Sequence, residues 1–120
     1  MYCCLVKIDC YEKNIPEYVI EQLKETMKLY FDSTDKFTYI SRKILFLTSV
    51  EKYSEVKEKL IGIQENFEKK HGSSIKLTCG FAELKNGDLW SAIDGARQML
   101  EHTTGINPIS GMYYYRVRRL

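Results

Sequence analysis

Residues 36–48 read Lys-Phe-Thr-Tyr-Ile-Ser-Arg-Lys-Ile-Leu-Phe-Leu-Thr, and this stretch decides the fold. Its two halves, 36–40 and 44–48, are rich in aromatic, aliphatic and β-branched residues and flank the polar triplet 41–43. Short runs of this composition around a polar connection predict two strands joined as a hairpin. The elements on either side of the hairpin then decide which kind of sheet it joins.

A helix is predicted on each side of the hairpin. Before it, Asn14 can cap a helix whose first turn contains Pro16. After it, Thr48 and Glu51 have the spacing of a capping box, and Gly72 closes the second helix. In both segments the apolar residues recur at steps of three and four, as on one face of a helix. They are Val19, Ile20, Leu23, Met27, Tyr30 and Phe31 in the first segment and Tyr53, Val56, Leu60, Ile63 and Phe67 in the second.

Two further strands complete the predicted sheet. Residues 2–9 are nearly all apolar, which predicts a central strand buried on both faces. Residues 75–82 alternate between apolar and polar or small side chains, which also predicts a strand. A third helix, capped by the turn 86–88, and a last strand at 112–117 follow. The inner face of that helix is predicted to carry Leu89, Ala92, Ile93, Ala96 and Leu100.

The predicted order is β-α-β-β-α-β followed by α-β, which indicates an α+β fold. Its first six elements are the split βαβ arrangement of ferredoxin-like proteins, an antiparallel sheet with helices packed on it. No linker, repeat or low-complexity segment interrupts the chain, so residues 1–120 are predicted to form a single domain.

Composition excludes some classes of protein. Hydrophobic residues make up 44% and charged residues 28% of the chain, as in ordinary globular domains. A net charge of +2 does not by itself indicate nucleic acid or an anionic membrane. Because no apolar run approaches the roughly 20 residues that span a bilayer, we expect no membrane insertion. No signal-peptide pattern opens the chain, so we expect a cytoplasmic protein.

The four cysteines are predicted to be reduced core residues. Cys3, Cys4, Cys10 and Cys79 lie on predicted strands and have no CxxC spacing. Disulfide frameworks and zinc sites draw their cysteines from paired positions, usually in loops. We therefore expect neither a disulfide nor a metal at these thiols.

Several short stretches resemble the GGDEF family of nucleotide cyclase domains. Residues 76–82 resemble a family strand in which a small hydroxylated residue stands two before a glycine. Residues 93–96, Ile-Asp-Gly-Ala, stand where the family has Ala-Asp-x-Ala, and Gly105-Ile106-Asn107 resembles its Gly-Arg-Asn. Residues 5–11 resemble its opening strand, which ends Asp-x-Asp-x-Phe. The resemblance implies a palm-type version of the ferredoxin-like fold, a topology that class III nucleotide cyclases share.

The same resemblance implies that the catalytic machinery is missing. Active members join two GTP molecules, and this chemistry needs divalent metal held by carboxylates. The family's first metal-binding aspartate aligns with Lys7, and its Gly-Gly-Asp/Glu-Glu-Phe turn aligns with residues 40–44. The phosphate-binding lysine falls near Glu101, and the arginine of Gly-Arg-Asn is Ile106. We therefore expect no enzyme activity, no catalytic residue, no metal and no cofactor.

The charge reversals leave one candidate ligand site, the basic cluster of Lys7, Arg42 and Lys43. These residues are expected to be neighbours if the first strand pairs with the hairpin, and together they could bind an anion in place of the lost metal. The alternative is that Lys7 pairs with Asp9 or Glu12 while Arg42 and Lys43 are solvated.

Residues 113–119 suggest a second kind of site. The segment interleaves Tyr113, Tyr114 and Tyr115 with three arginines. Aromatic residues on split-βαβ sheets stack bases in RRM-type RNA-binding domains, but the RRM sequence signature is absent and strands favour tyrosine in any case. Trp90 is expected at the edge of the core rather than as an exposed anchor for a partner.

Three functions remain open from the sequence. The favoured one is a non-catalytic GGDEF-like regulatory or signalling module that binds a protein partner or dimerises. Such a module could be a piece of a larger signalling or transcription protein. The second is a sensor that holds GTP or a cyclic dinucleotide at the basic cluster without turnover. The third, and least favoured, is an RNA-binding sheet.

Overall fold

The computed structural model describes residues 1–10, 14–31 and 37–103, apart from the side chains of residues 73, 102 and 103. Four strands and three helices occur in these ranges. They are β1 (Tyr2–Cys10), α1 (Glu17–Tyr30), β2 (Thr38–Ile40), β3 (Lys43–Thr48), α2 (Tyr53–His71), β4 (Ile75–Glu83) and α3 (Leu89–Thr103), with a 3-10 turn Gly72–Ser74 before β4. The predicted last strand at 112–117 lies outside the described residues.

The four strands form one antiparallel sheet in the order β2-β3-β1-β4. Strand β1 pairs with β3 on one side and with β4 on the other, so it is central, as its apolar sequence predicts. Together with α1 and α2 this order confirms the ferredoxin-like α+β fold.

Helices α1 and α2 cover one face of the sheet and enclose the main core. Because side chains alternate along a strand, this face takes Cys4, Val6 and Ile8 of β1. Their neighbours include Leu23 of α1 and Phe67 of α2, all fully buried. Aromatic rings fill the space between strands and helices at edge or tilted angles, which aromatic pairs prefer. The pairs include Phe31 with Phe46, Tyr2 with Phe81, and Tyr53 with Phe81.

Helix α3 packs on the opposite face of the sheet, over β4 and β1. A second, smaller cluster forms there from Leu5 and Ala82 of the sheet and Ala96 and Leu100 of α3. Gly80 makes this close approach possible, because a Cβ at residue 80 would collide with the backbone carbonyl oxygen of Ala96. One face of the sheet is thus buried by α1 and α2, and the other is buried by α3 where this helix lies over β4 and β1.

Both predicted capping motifs at the helix starts are wrong. Helix α1 begins after Pro16, whose carbonyl oxygen accepts bonds from the N–H groups of Val19 and Ile20, and no side chain caps it. Helix α2 begins after Lys52, again without a side-chain cap. Thr48 is still the last residue of β3, and its hydroxyl accepts a bond from the N–H of Val50. At the other end of α2, Gly72 is the predicted C-cap, with φ of 65°.

The third helix is capped as predicted but buries a different stripe. The Asp88 carboxylate accepts a bond from the N–H of Ser91 at 3.1 Å. Ala92, Ala96 and Leu100 are buried as expected, whereas Leu89 is 39% exposed and Met99, which the sequence pattern missed, is fully buried. The expectation that Trp90 lies at the core edge is also wrong, because its side chain is 80% exposed.

The cysteines are free thiols, and three of the four lie in the core as predicted, whereas Cys10 does not. Cys3, Cys4 and Cys79 are buried, and Cys10 is partly exposed. Burial raises the pKa of Cys3 to about 11 and that of Cys79 to about 12, and it raises the pKa of Cys4 as well. These thiols therefore stay protonated and unreactive near neutral pH.

Candidate functional site: a basic cluster at the hairpin

The hairpin turn places Arg42 beside the central strand. Ser41 and Arg42 both have positive φ, 49° and 67°, as a two-residue type I′ turn requires. The loop is therefore one residue shorter than the predicted triplet, and Lys43 belongs to β3. The turn is held against β1 by two bonds: the N–H of Ile8 donates to the carbonyl oxygen of Arg42 at 2.9 Å, and Arg42 Nη1 donates to the carbonyl oxygen of Cys10 at 3.4 Å.

Lys7 and Lys43 are directly opposite each other on β1 and β3. Because the N–H of Ile8 points toward β3, the N–H of its neighbour Lys7 points toward β4. Lys7 and Lys43 are therefore a non-hydrogen-bonded pair, the kind in which opposed side chains come closest. Like charges in this arrangement repel each other and destabilise the sheet unless an anion compensates them.

One carboxylate partly compensates the cluster. Lys7 Nζ lies 3.5 Å from Asp9 Oδ1, with both side chains partly exposed. The hydroxyl of Thr78 on β4 donates to the other oxygen of Asp9 at 3.3 Å. The structure therefore brings the three predicted residues together and also contains the predicted ion pair of Lys7. An exposed pair of this kind contributes little stability.

The chemistry of the cluster suits an anion. The basic cluster contains three cationic side chains beside one carboxylate, and the Thr78 hydroxyl adds a neutral hydrogen-bonding group. Mg²⁺ and Ca²⁺ need oxygen ligands, which ammonium and guanidinium groups do not supply. Throughout the part of the chain that the structure describes, no three His, Cys, Asp or Glu side chains are grouped as a metal site would require.

A second surface lies on the same face of the sheet. On α3, which packs over β4 and β1, Trp90 lies on the side of the helix opposite Met99, the residue that reaches β4, and its side chain is 80% exposed. The outward side chains of the hairpin there include Leu47, 37% exposed, and Ile40, 60% exposed. We call these three exposed side chains, Trp90, Leu47 and Ile40, the open half-face. The sequence pattern does not predict the open half-face, because Leu47 and Ile40 stand in apolar runs of the kind that form buried strands.

Comparisons with known proteins add no name to this geometry. A scan against protein-family models returned no match, and a search of curated proteins returned no significant relative. The element order and the strand order alone give the chain a ferredoxin-like α+β fold. Within the described ranges, no helix has both the length and the apolar character needed to cross a membrane.

Proposed function

We propose that this protein is a non-catalytic GGDEF-like regulatory module that acts by contact with another protein, and specifically by dimerising. The observation that carries the proposal is the open half-face. Trp90, Leu47 and Ile40 are large apolar side chains that remain 37–80% exposed on the face of the sheet where, among the described helices, only α3 packs. Large exposed apolar side chains, and tryptophan above all, are typical of residues that dominate protein interfaces.

The basic cluster supports the non-catalytic part of the proposal. At the two places where the family resemblance puts metal-binding acids, the chain has Lys7 opposite Lys43, with Arg42 in the turn between β2 and β3. A divalent cation at this position would be repelled by these positive charges, which stand where the family has carboxylates. We expect no conversion of GTP to a cyclic dinucleotide in the presence of Mg²⁺ or Mn²⁺, and detected product would overturn this part.

The dimer is tested with the only tryptophan of the chain as the probe. We expect sedimentation at increasing concentration to show a dimer, and the Trp90 emission to shift to shorter wavelength as the ring leaves water. Trp90→Ala should weaken association at least tenfold, about 1.4 kcal/mol.

The matched control for this variant is Leu29→Ala on α1. Leu29 is 75% exposed but lies on a helix that covers the other face of the sheet, so association should not change. A protein that stays monomeric at all concentrations, with constant emission, contradicts dimerisation as the function.

A second function, nucleotide binding without turnover, is favoured by one specific observation. The opposed Lys7–Lys43 pair is only partly compensated by Asp9, so a phosphate group would relieve repulsion that the folded protein otherwise carries. GTP and inorganic triphosphate should both raise the melting temperature if the phosphates are what is bound.

The control for nucleotide binding removes the same charge elsewhere. Arg42→Ala with Lys43→Ala should abolish the thermal shift, whereas Lys69→Ala with Lys70→Ala, at exposed positions of α2, should retain it. If both variants lose the thermal shift equally, the nucleotide is attracted only by the net charge of the protein. If GTP causes no thermal shift in the wild type, the protein does not bind nucleotide at this cluster.

A further inference from the structure

Strand β4 has an outer edge that its sequence makes suitable for further pairing. The strand is nine residues long and pairs with β1 along all of them. Leu77 lies opposite Ile8, whose N–H points away from β4, so the N–H and C=O of Leu77 point outward. By alternation the main-chain groups of Cys79 and Phe81 point outward as well. Among the described residues, no strand pairs with this side of β4.

Two side chains of α2 occupy the outward main-chain groups of Leu77. Gln64 Nε2 donates to the Leu77 carbonyl oxygen at 2.8 Å, and Glu68 Oε2 accepts from the Leu77 N–H at 3.2 Å. One donor and one acceptor at a single residue are what a neighbouring strand residue supplies in an antiparallel ladder. Gln64 is only 4% exposed although it is polar, because it lies next to the apolar stripe of α2.

A third side chain reaches the same edge from the other face of the sheet. The N–H of Phe81 lies 3.2 Å from the thioether sulfur of Met99 on α3, and Met99 is fully buried. A thioether is a weak acceptor, so this contact satisfies the N–H less well than a peptide carbonyl does. Both main-chain groups of Leu77 are thus covered from α2, and the N–H of Phe81 is covered from α3.

We propose that Gln64, Glu68 and Met99 form an edge cap, which imitates a fifth strand and keeps β4 from pairing with the β4 edge of a second copy of this chain. Antiparallel pairing of two copies around Cys79 would place Leu77 of each opposite Phe81 of the other. The main-chain N–H and C=O groups of Leu77, Cys79 and Phe81 would face the same groups of the second copy, which makes the two edges self-complementary. Uncovered strand edges of this length and composition associate readily.

The edge cap explains why α2 has a glutamine where packing favours an apolar residue. A leucine at residue 64 would fill the space equally well but would leave the Leu77 carbonyl oxygen without a donor. The cap shares no residue with the open half-face, whose Leu47 and Ile40 lie on β3 and β2, separated from β4 by β1.

Hydrogen exchange at the Leu77 amide of the full chain tests the cap directly. Glu68→Leu removes the acceptor and should speed exchange of this amide at least tenfold in dilute solution. Glu68→Gln keeps an acceptor oxygen and should leave the rate close to that of the wild type. Equal rates in the wild type and Glu68→Leu would overturn the proposal.

Sedimentation tests the consequence for association. Gln64→Ala with Glu68→Ala should double the mass relative to the wild type at tens of micromolar, and the Leu77 amide should become protected again as the copies pair. The matched control is Gln22→Ala with Glu25→Ala, which changes the same residue types at exposed positions of α1. An unchanged mass in the double variant, or an equal increase in the control, contradicts the proposal. Should the double variant fail to fold, the exchange comparison at residue 68 decides alone.

Discussion

Gly80 lets α3 pack close to the sheet, because its side chain is a single hydrogen atom. Gly80→Ala would place a methyl group against the carbonyl oxygen of Ala96 and the backbone of Leu100, neither of which can rotate away. We expect a loss of about 1–3 kcal/mol in the free energy of unfolding, measured by urea titration. Gly62→Ala is the matched control, since its new methyl meets the Tyr30 ring, a side chain that can turn aside, and the helix gains propensity. Equal losses in the two variants would contradict this account.

Lys59 joins the two helices on the main-core face. Its Nζ donates to the carbonyl oxygen of Tyr30 at 2.7 Å, at the end of α1, and lies 5.7 Å from the centre of the Phe31 ring. Lys59→Met keeps the aliphatic stem but loses the bond and the cation–π contact, so the free energy of unfolding should fall by about 1–2 kcal/mol. Lys69→Met, at an exposed position of the same helix, should change it by less than about 0.5 kcal/mol. A similar change in both variants would show that the contact contributes nothing specific.

Cys79 should make the protein less stable at alkaline pH. Its pKa is raised by burial from the ordinary value of 9.0 to about 12. Below pH 9 the thiol is protonated in both states and has no effect, and between pH 9 and 12 only the unfolded state releases the proton, so stability falls as pH rises. At pH 10 the loss is about 1.4 kcal/mol relative to pH 8. Denaturant titrations at the two pH values should show a smaller decrease for Cys79→Ala than for the wild type, and parallel decreases would contradict it.

The β2–β3 hairpin uses two residues that tolerate positive φ less well than glycine or asparagine. Ser41 has φ of 49° and is exposed, so replacing it does not disturb the core. Ser41→Asn should stabilise the fold by roughly 0.5–1 kcal/mol, because asparagine is favoured at the first position of a type I′ turn. Ser41→Val, with its branched Cβ, should destabilise it. Thermal unfolding of the two variants measures the difference, and a Val variant as stable as the Asn variant would contradict it.

Sequence patterns predict the helices and strands well where buried and exposed residues alternate regularly. They predict helix boundaries poorly where these depend on capping residues. The long amphipathic stripe of α2 and the apolar run of β1 each predict an element, because core packing requires those side chains. The capping box at Thr48 misled, since its spacing fits a helix start that the strand β3 occupies instead. Trp90 misled for a related reason: a large aromatic residue on an amphipathic helix is usually buried, and here the helix turns it to solvent.

The sequence predicts which basic residues lie close together in the candidate site, but not how their side chains are arranged. Pairing of the first strand with the hairpin brings Lys7, Arg42 and Lys43 together, as expected from the order of elements. The direct opposition of Lys7 and Lys43 depends on the register, which a turn one residue shorter than expected determines. The contacts of Gln64 and Glu68 with Leu77 are not predictable from the sequence, because both residues have the pattern of ordinary polar residues on a helix.

The molecule as a whole should unfold as one cooperative unit. Strand β1 contributes side chains to both cores, so neither face can separate without disrupting the sheet that the other face needs. Urea transitions followed by far-UV circular dichroism, by near-UV circular dichroism of the packed aromatic side chains, and by Trp90 emission should coincide. An earlier transition at Trp90 would indicate that α3 detaches first.

The central position of β1 has a consequence for the order of events during synthesis. This strand leaves the ribosome before either of its neighbours, yet its partners are residues 43–48 and 75–83. At roughly 5–20 residues per second, its apolar side chains wait for several seconds before the second partner emerges. Slower translation would lengthen that exposure, and a chaperone that recognises nascent apolar segments would find its target in the first ten residues. The strand that finally holds the sheet together is therefore also the segment most in need of protection while the chain is incomplete.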